Sequence, residues 1–275
     1  MSAGLCHARL PWRHSSRYRS YNRVSAAGAG HCQLKICVVT LYTDEIAEYG
    51  KLGAANKESY ARCHGYTFVA YDHRLDIGRP PAFSKLAAIA AHLPDHDWTF
   101  WTDADSLVMN PATRLESIIR RGADKDMILT WESGASPINT GQWLIRNSAW
   151  STAALKAIAA PDCPNSRPYW FEQGAFVDWL QEDPARRQRL RILHPRVMNS
   201  TPAEGLYPDL NLRASRYRNG DFIIHFWPLA RRTAEVHRAM LNYHRLAVAR
   251  EAGFGARLLG LGRRAARLGR PGAAP

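Results

Sequence analysis

Asp103 and Asp105 are the residues with the clearest capacity for chemistry. They stand two apart after Trp98-Thr99-Phe100-Trp101-Thr102, and a second apolar run, Leu107-Val108-Met109, follows almost at once. In extended backbone, residues two apart point to the same side, so both carboxylates can face one hard divalent cation while Ala104 faces away. That cation would in turn hold phosphate oxygens. An acidic Asx turn at the surface uses the same letters, but few surface turns are entered through Trp-Thr-Phe-Trp and left through Leu-Val-Met. The expected setting is a buried strand that ends in a cation site.

The elements that must hold this site can be read on either side of it. Residues 34–41 form a near-continuous β-branched run, the pattern of a parallel strand covered on both faces. Thr43 or Asp44 caps a helix to about Cys63, closed by His64-Gly65, and residues 66–71 form a second strand, giving β-α-β. A loop ending in Arg79-Pro80-Pro81 leads to a helix over 82–93 with Lys85 near its start. After the acidic turn, Pro111 opens a short helix to Arg121. Residues 127–131 read as a strand and 138–146 as half turn, half strand. A helix capped by Asn147 or Ser148 runs to Ala160, and another follows Tyr169-Trp170-Phe171-Glu172-Gln173 to about Leu180. A strand lies within 189–199, residues 200–219 have no clear period and read as loop, and the last strand, 221–227, carries His225. A helix from Leu229 to about Arg250 ends the fold. The alternation implies an α/β domain over 34–250 with a mostly parallel, helix-flanked sheet, whose ligands sit beyond the carboxyl ends of the strands. The acidic turn falls at such an end.

The formal charge of +13 invites a polyanion-binding reading until it is located. Residues 1–35 hold six basic side chains and no acidic one, and 245–275 hold seven arginines against Glu251, so the ends carry +12 and the body is near neutral. No specific nucleic-acid partner is expected. Residues 1–33 read as a disordered basic leader and 251–275 as a basic Gly/Leu/Arg-rich tail. Leu258, Leu259, Leu261 and Leu268 interleaved with arginines suit peripheral contact with an anionic membrane, while the glycines at 253, 255, 260, 262 and 269 argue against a firm helix. Five cysteines without Cys-x-x-Cys spacing argue against a disulfide framework or zinc site, and no apolar run is long enough to span a bilayer. A cytoplasmic location is the expectation, with the tail either solvated and disordered or peripheral to the inner face of the membrane.

Several segments together resemble one family. Asn56 to Tyr60, His64-Gly65-Tyr66, Arg79-Pro80, Phe83-Ser84-Lys85-Leu86, the stretch 101–110, Asn139-Thr140-Gly141 with Leu144-Ile145-Arg146-Asn147, Glu172-Gln173 and His225-Phe226 occur in the order found in glycosyltransferase family 34, the galactosyl, mannosyl and xylosyl transferases. The resemblance implies a GT-A, Rossmann-like nucleotide-sugar-binding fold and retaining transfer of a hexosyl or pentosyl unit from a nucleotide-sugar donor, UDP-linked by preference, to a glycan or glycolipid acceptor. It implies Mn2+, or Mg2+, held by Asp103, Asp105 and His225. It places Thr40, Tyr42, Lys85, Asp103, Ala104, Asp105, Asn139, Gly141 and Arg231 at the donor, and Gln173, Glu172 and Asp103 at the reacting centre. Arg231 stands in for a lysine that family members carry shortly after the His-Phe pair, a guanidinium fork being able to take two phosphate oxygens.

The residues alone leave alternatives open. His225 between Ile224 and Phe226 also suits a satisfied core histidine, Lys85 a solvated surface lysine, Glu172 helix-capping chemistry, and Asn139-Thr140-Gly141 an ordinary hairpin turn. A phosphatase of haloacid-dehalogenase type would use Asp103 as nucleophile in the same acidic turn. A non-catalytic membrane- or nucleic-acid-binding protein would use the basic ends and leave Asp103, Asp105 and His225 without a shared task.

Overall fold

The computed structural model describes residues 34–132, 136–202, 212–227 and 233–268. β1 (Ile36–Leu41) leads into α1 (Ala47–His64), which Gly65 closes in the left-handed region at φ 72°, a conformation glycine adopts without a Cβ penalty. β2 (Thr67–Tyr71), α2 (Ser84–His92), β3 (Trp98–Thr102) and β4 (Ser106–Val108) follow, then α3 (Leu115–Ile119), β5 (Met127–Thr130) and β6 (Asn139–Arg146). Ser148 caps α4 (Ala149–Ile158), its hydroxyl accepting from the Ser151 N–H at 3.1 Å. The chain then forms α5 (Glu172–Glu182), α6 (Pro184–Arg187), β7 (Leu190–Leu193), β8 (Ile223–His225) and α7 (Thr233–Leu268).

Six strands make the central sheet in the order β2-β1-β3-β6-β5-β7, and β6 alone runs against the other five. Period-two alternation sorts the strand residues between two layers. Val39, Leu41, Trp101, Leu129 and Trp143 pack with α2, α4 and α5 on one face. Ile36, Val38, Phe100, Ile128 and Leu144 pack with α1 and α3 on the other. Phe100 and Trp143 are fully covered, each contributing roughly 2–3 kcal/mol by burial. A third cluster joins Leu107, Met109, Ile224 and Phe226 to Val236 and Met240 of α7, under a small antiparallel ribbon of β4 and β8.

Four expectations change. Asn139-Thr140-Gly141 is no turn: it is the start of β6, held between β3 and β5 with an irregular register between Ile128 and Thr130. The helix expected at Pro111 starts four residues later, because an Asx turn from Asn110 Oδ1 to the Ala112 N–H shapes the chain there and His64 and Tyr60 engage the carbonyls of Pro111 and Thr113. Residues 200–219 are partly structured, with bridges Ser200↔Ile224 and Thr201↔Arg216. The last helix continues past Arg250 to Leu268, the leucines, alanines and arginines between the glycines being strong helix formers. Residues 1–33 and Arg231 lie outside the described residues. Among the described residues, no helix is long and apolar enough to cross a membrane.

Candidate active site

Two strand registers assemble the site. In the β4–β8 ribbon Ser106 pairs with His225, and the Phe226 N–H donates to the Asp105 carbonyl at 2.8 Å, so His225 arrives beside Asp105 from 120 residues away. In the β3–β6 pair Thr102 faces Gln142, and the Asp103 N–H donates to the Gly141 carbonyl at 2.8 Å. Gly141 is required there by space: a Cβ would lie 2.1 Å from His225 Cε1 and 2.8 Å from Nδ1. All three predicted ligands converge. Their ligand atoms lie within 4.8 Å of one another, with His225 Nε2 3.2 Å from Asp105 Oδ1 and 3.6 Å from Asp103 Oδ2.

The other ring nitrogen settles what this cluster suits. His225 Nδ1 lies 2.7 Å from Asn199 Oδ1, which takes its proton and leaves Nε2 with a lone pair toward two carboxylates. Three electron-pair donors turned toward one point fit a shared divalent cation. Burial works against ionisation of Asp105, but the positive charge of the His225 ring when Nε2 also carries a proton, together with the Lys57 ammonium, outweighs it and holds the carboxyl below its ordinary range.

Around the cluster lies a cavity of about 850 Å³ lined by Lys85, Asp103, Ala104, Asp105, Asn139, Gly141, Glu172, Gln173 and His225, a size that takes a large small-molecule ligand. Lys85 is no solvated lysine. It is buried, and its Nζ donates to Glu172 Oε1 at 2.6 Å and the Thr140 carbonyl at 3.2 Å while lying 3.1 Å from Asp103 Oδ1. Burial opposes its charge, but Asp103 and Glu172 prevail and raise it above the ordinary lysine range. Trp101 Nε1 donates to the same Asp103 oxygen at 2.6 Å. The Thr140 hydroxyl donates to Glu172 Oε1 at 2.9 Å, and the Thr140 N–H donates to Gln173 Oε1 at 3.0 Å. Thr40 and Tyr42 are not on the cavity wall. Thr40 is fully buried, on the opposite parity from Leu41 and Thr43, which do line the cavity, and the Tyr42 ring lies against Gly50 and joins the third core cluster.

Comparison with known proteins follows the same lines. The model of the galactosyl transferase GMA12/MNN10 family matches residues 38–130. Over that stretch the chain resembles the GMA12/MNN10 family. It is 26% identical to an uncharacterized alpha-1,2-galactosyltransferase of Schizosaccharomyces pombe, over 62% of this chain and 54% of that one, and 24% identical to a probable alpha-1,6-mannosyltransferase of Saccharomyces cerevisiae, over 54% and 46%. It thus spans about half the length of these curated relatives. A glycosyltransferase involved in glycosylation of the major capsid of PBCV-1 superposes with a TM-score of 0.58 at 19% identity, over 75% of this chain and 98% of that one. The fold is of GT-A type.

Glu132 and Lys57, like Asn199, escape the sequence reading. Glu132 accepts from Asn139 Nδ2 at 2.8 Å and Gln173 Nε2 at 3.3 Å, and with Thr140 it fixes how the Gln173 amide is turned. Burial pushes its carboxyl up despite those two donors. A carboxylate just after a predicted strand is the only signal the sequence offers. Lys57, fully buried on α1, donates to the Ser106 carbonyl at 2.8 Å, and Asn56 beside it brackets Val108, accepting its N–H at 2.7 Å and donating to its carbonyl at 3.2 Å. These side chains complete the edge of β4 that β8 leaves open. Gly53 lets α1 approach, since a Cβ there would sit 2.3 Å from the Ala104 carbonyl.

Burial brings Lys57 from 10.5 down to about 7, against the pull of Asp105 and Asp103. Between about pH 7 and 10.5 the unfolded chain therefore holds a proton that the folded chain has released, so this group's contribution to stability rises with pH across that window. Lys57→Met binds no proton in either state and is expected to show a flatter rise. Urea midpoints at pH 7, 8.5 and 10 for both proteins check this, and parallel slopes would mean that the ammonium stays charged in the fold.

Proposed function

We propose that the protein is a metal-dependent, retaining glycosyltransferase that moves a hexosyl or pentosyl unit from a nucleotide-sugar, UDP-linked by preference, to a glycan or glycolipid acceptor. The observation that carries this reading is the convergence of Asp103, Asp105 and His225 at the cavity wall, next to the Lys85–Glu172–Gln173 cluster. The family relationship and the GT-A fold agree with it. The cytoplasm is the proposed location.

Asp103, Asp105 and His225 would hold Mn2+ or Mg2+, with Asn199 fixing the imidazole tautomer. A bound dication supplies positive charge against the diphosphate as its bond to the sugar breaks. Lys85 donates to Glu172 and orients it within the cavity, where its carboxylate can accept sugar hydroxyls. Thr140 and Glu132 hold the Gln173 amide from both ends, presenting it to the reacting carbon without rotational freedom. In retention of this kind no side chain need become a permanent nucleophile, and the departing phosphate can take the acceptor proton. Asp103 is poorly placed to attack a phosphoester as a phosphatase nucleophile, since Trp101 and Lys85 both occupy its Oδ1 and His225 faces Oδ2.

A donor panel tests the reading. Purified protein with Mn2+ and each common nucleotide-sugar is expected to release free nucleotide slowly from one donor, and chelation should stop it. Silence across the panel with both Mn2+ and Mg2+, or release of inorganic phosphate from simple phosphoesters, would remove it.

A further inference from the structure

Just before Glu172 and Gln173 the chain places three aromatic residues in a row, and none of the roles above uses them. Tyr169 is 59% exposed and Phe171 44%, large values for such side chains, and both line the cavity together with Trp170. Exposed rings of this size mark contact surfaces when they cluster and are held in place.

These are held. Among the described residues, Phe171 is the only non-glycine with positive φ, at φ 52° and ψ −130°, a conformation strained for a residue with a Cβ. The surrounding hydrogen bonds oppose relaxation: Asn165 Nδ2 donates to the Phe171 carbonyl at 2.9 Å, the Gly174 N–H donates to it at 3.1 Å, and the Phe171 N–H donates to the Pro168 carbonyl at 3.1 Å. Arg167 lies over the Trp170 ring at 5.4 Å and is anchored by Asp178. Gly174 packs so closely that a Cβ would meet Asn165 Oδ1 at 2.4 Å and the Arg167 carbonyl at 2.5 Å. The fold thus maintains a strained backbone that keeps rings at the cavity rim, one residue before the acidic-Gln pair. Core packing does not ask for it.

We propose that Tyr169, Trp170 and Phe171 form a stacking subsite for a pyranose ring of the carbohydrate acceptor. This rests on the glycosyl-transfer reading above. A pyranose has an apolar C–H face and a rim of hydroxyls, so it suits flat rings at the mouth of a polar cavity. Continuity decides the occupant. The rings line the same cavity as Gln173 and Glu172, so an acceptor sugar stacked on them lies beside the groups proposed to face the reacting carbon.

The test is carbohydrate retention on an oligosaccharide array by the full chain with Mn2+ and UDP, beside nucleotide release by the wild type from the donor panel. Wild type is expected to retain at least one glycan. Tyr169→Ala and Phe171→Gly should retain about tenfold less, and Tyr169→Trp should keep the signal. Phe171→Gly removes a ring while relieving the backbone, so its loss of binding cannot be ascribed to unfolding, which thermal midpoints check for each variant. Unchanged patterns in both losing variants, equal loss in Tyr169→Trp and Tyr169→Ala, or an array left blank by the wild type would overturn the subsite. Wild-type nucleotide release in the same preparation then shows whether the transferase reading survives without it.

Discussion

Asp105→Asn is expected to reduce nucleotide release by about a thousandfold while leaving the chain folded. Asp105 is the most enclosed of the two carboxylates, its side chain 12% exposed against 27% for Asp103. Its neighbours also make the change specific. The backbone bond from Phe226 to the Asp105 carbonyl survives the substitution, so the β4–β8 ribbon keeps its register. What is lost is the negative charge facing His225 Nε2, and an amide that presents its NH2 to that lone pair satisfies the ring without a cation. Manganese titration followed by electron paramagnetic resonance should show affinity falling at least tenfold. The variant also loses a group whose carboxyl is held below its ordinary range in the fold. That contribution to stability is present above the unfolded value of 3.8 and lost as pH falls through the folded one. Wild type should therefore lose stability on acidification more steeply than Asp105→Asn. Near-normal turnover in the variant would show that the cluster is not the reaction's cation site.

How much of this was legible follows from where each residue gets its meaning. Asp103 and Asp105 are readable because two apart at a strand end is a statement about local geometry, and Trp101 to Asn110 is a local pattern. The strand-helix alternation is readable for the same reason, and the sheet agrees with it, including a predominantly parallel arrangement. The direction of β6 is not readable, because an antiparallel insertion in a parallel sheet leaves no mark on the alternation. His225 depends on a register between strands separated by more than a hundred residues, so its own neighbours allow a core histidine as well as a ligand, and only the family resemblance separated the two. Thr40 and Tyr42 fell off the wall by parity: the strand turns odd positions toward the cavity. Lys57 and Lys85 look alike to periodicity, as lysines on helices that ought to be solvated. Both are buried, because each satisfies carbonyl or carboxylate oxygens contributed by distant parts of the chain. Glycine counts misjudged α7, whose length follows from the residues between the glycines.

Lys85→Met carries the largest expected cost in stability, about 3–5 kcal/mol at neutral pH. The methionine matches the stem of the lysine in volume, so cavity formation contributes little. The cost comes from what is left behind. Glu172 is 5% exposed at its side chain, and it loses the ammonium 2.6 Å away while keeping only the Thr140 hydroxyl on the same oxygen. Asp103 loses one of the two donors to its Oδ1. The raised position of the Lys85 ammonium fixes the pH range: its stabilisation is fully present below the unfolded value of 10.5 and disappears only as pH rises through the higher folded value. The full penalty should therefore appear anywhere from pH 6 to 8. Lys85→Met with Glu172→Gln removes the orphaned charge as well as its partner, and is expected to recover most of the lost stability while recovering none of the nucleotide release. Urea unfolding separates the two cases. If Lys85→Met unfolds within 1 kcal/mol of wild type, or the double substitution fails to improve on it, the pair is not what keeps Glu172 buried. The double variant also divides the two duties of the cluster, since a neutral pair can preserve the packing under Thr140 but offers a sugar hydroxyl no carboxylate to bind.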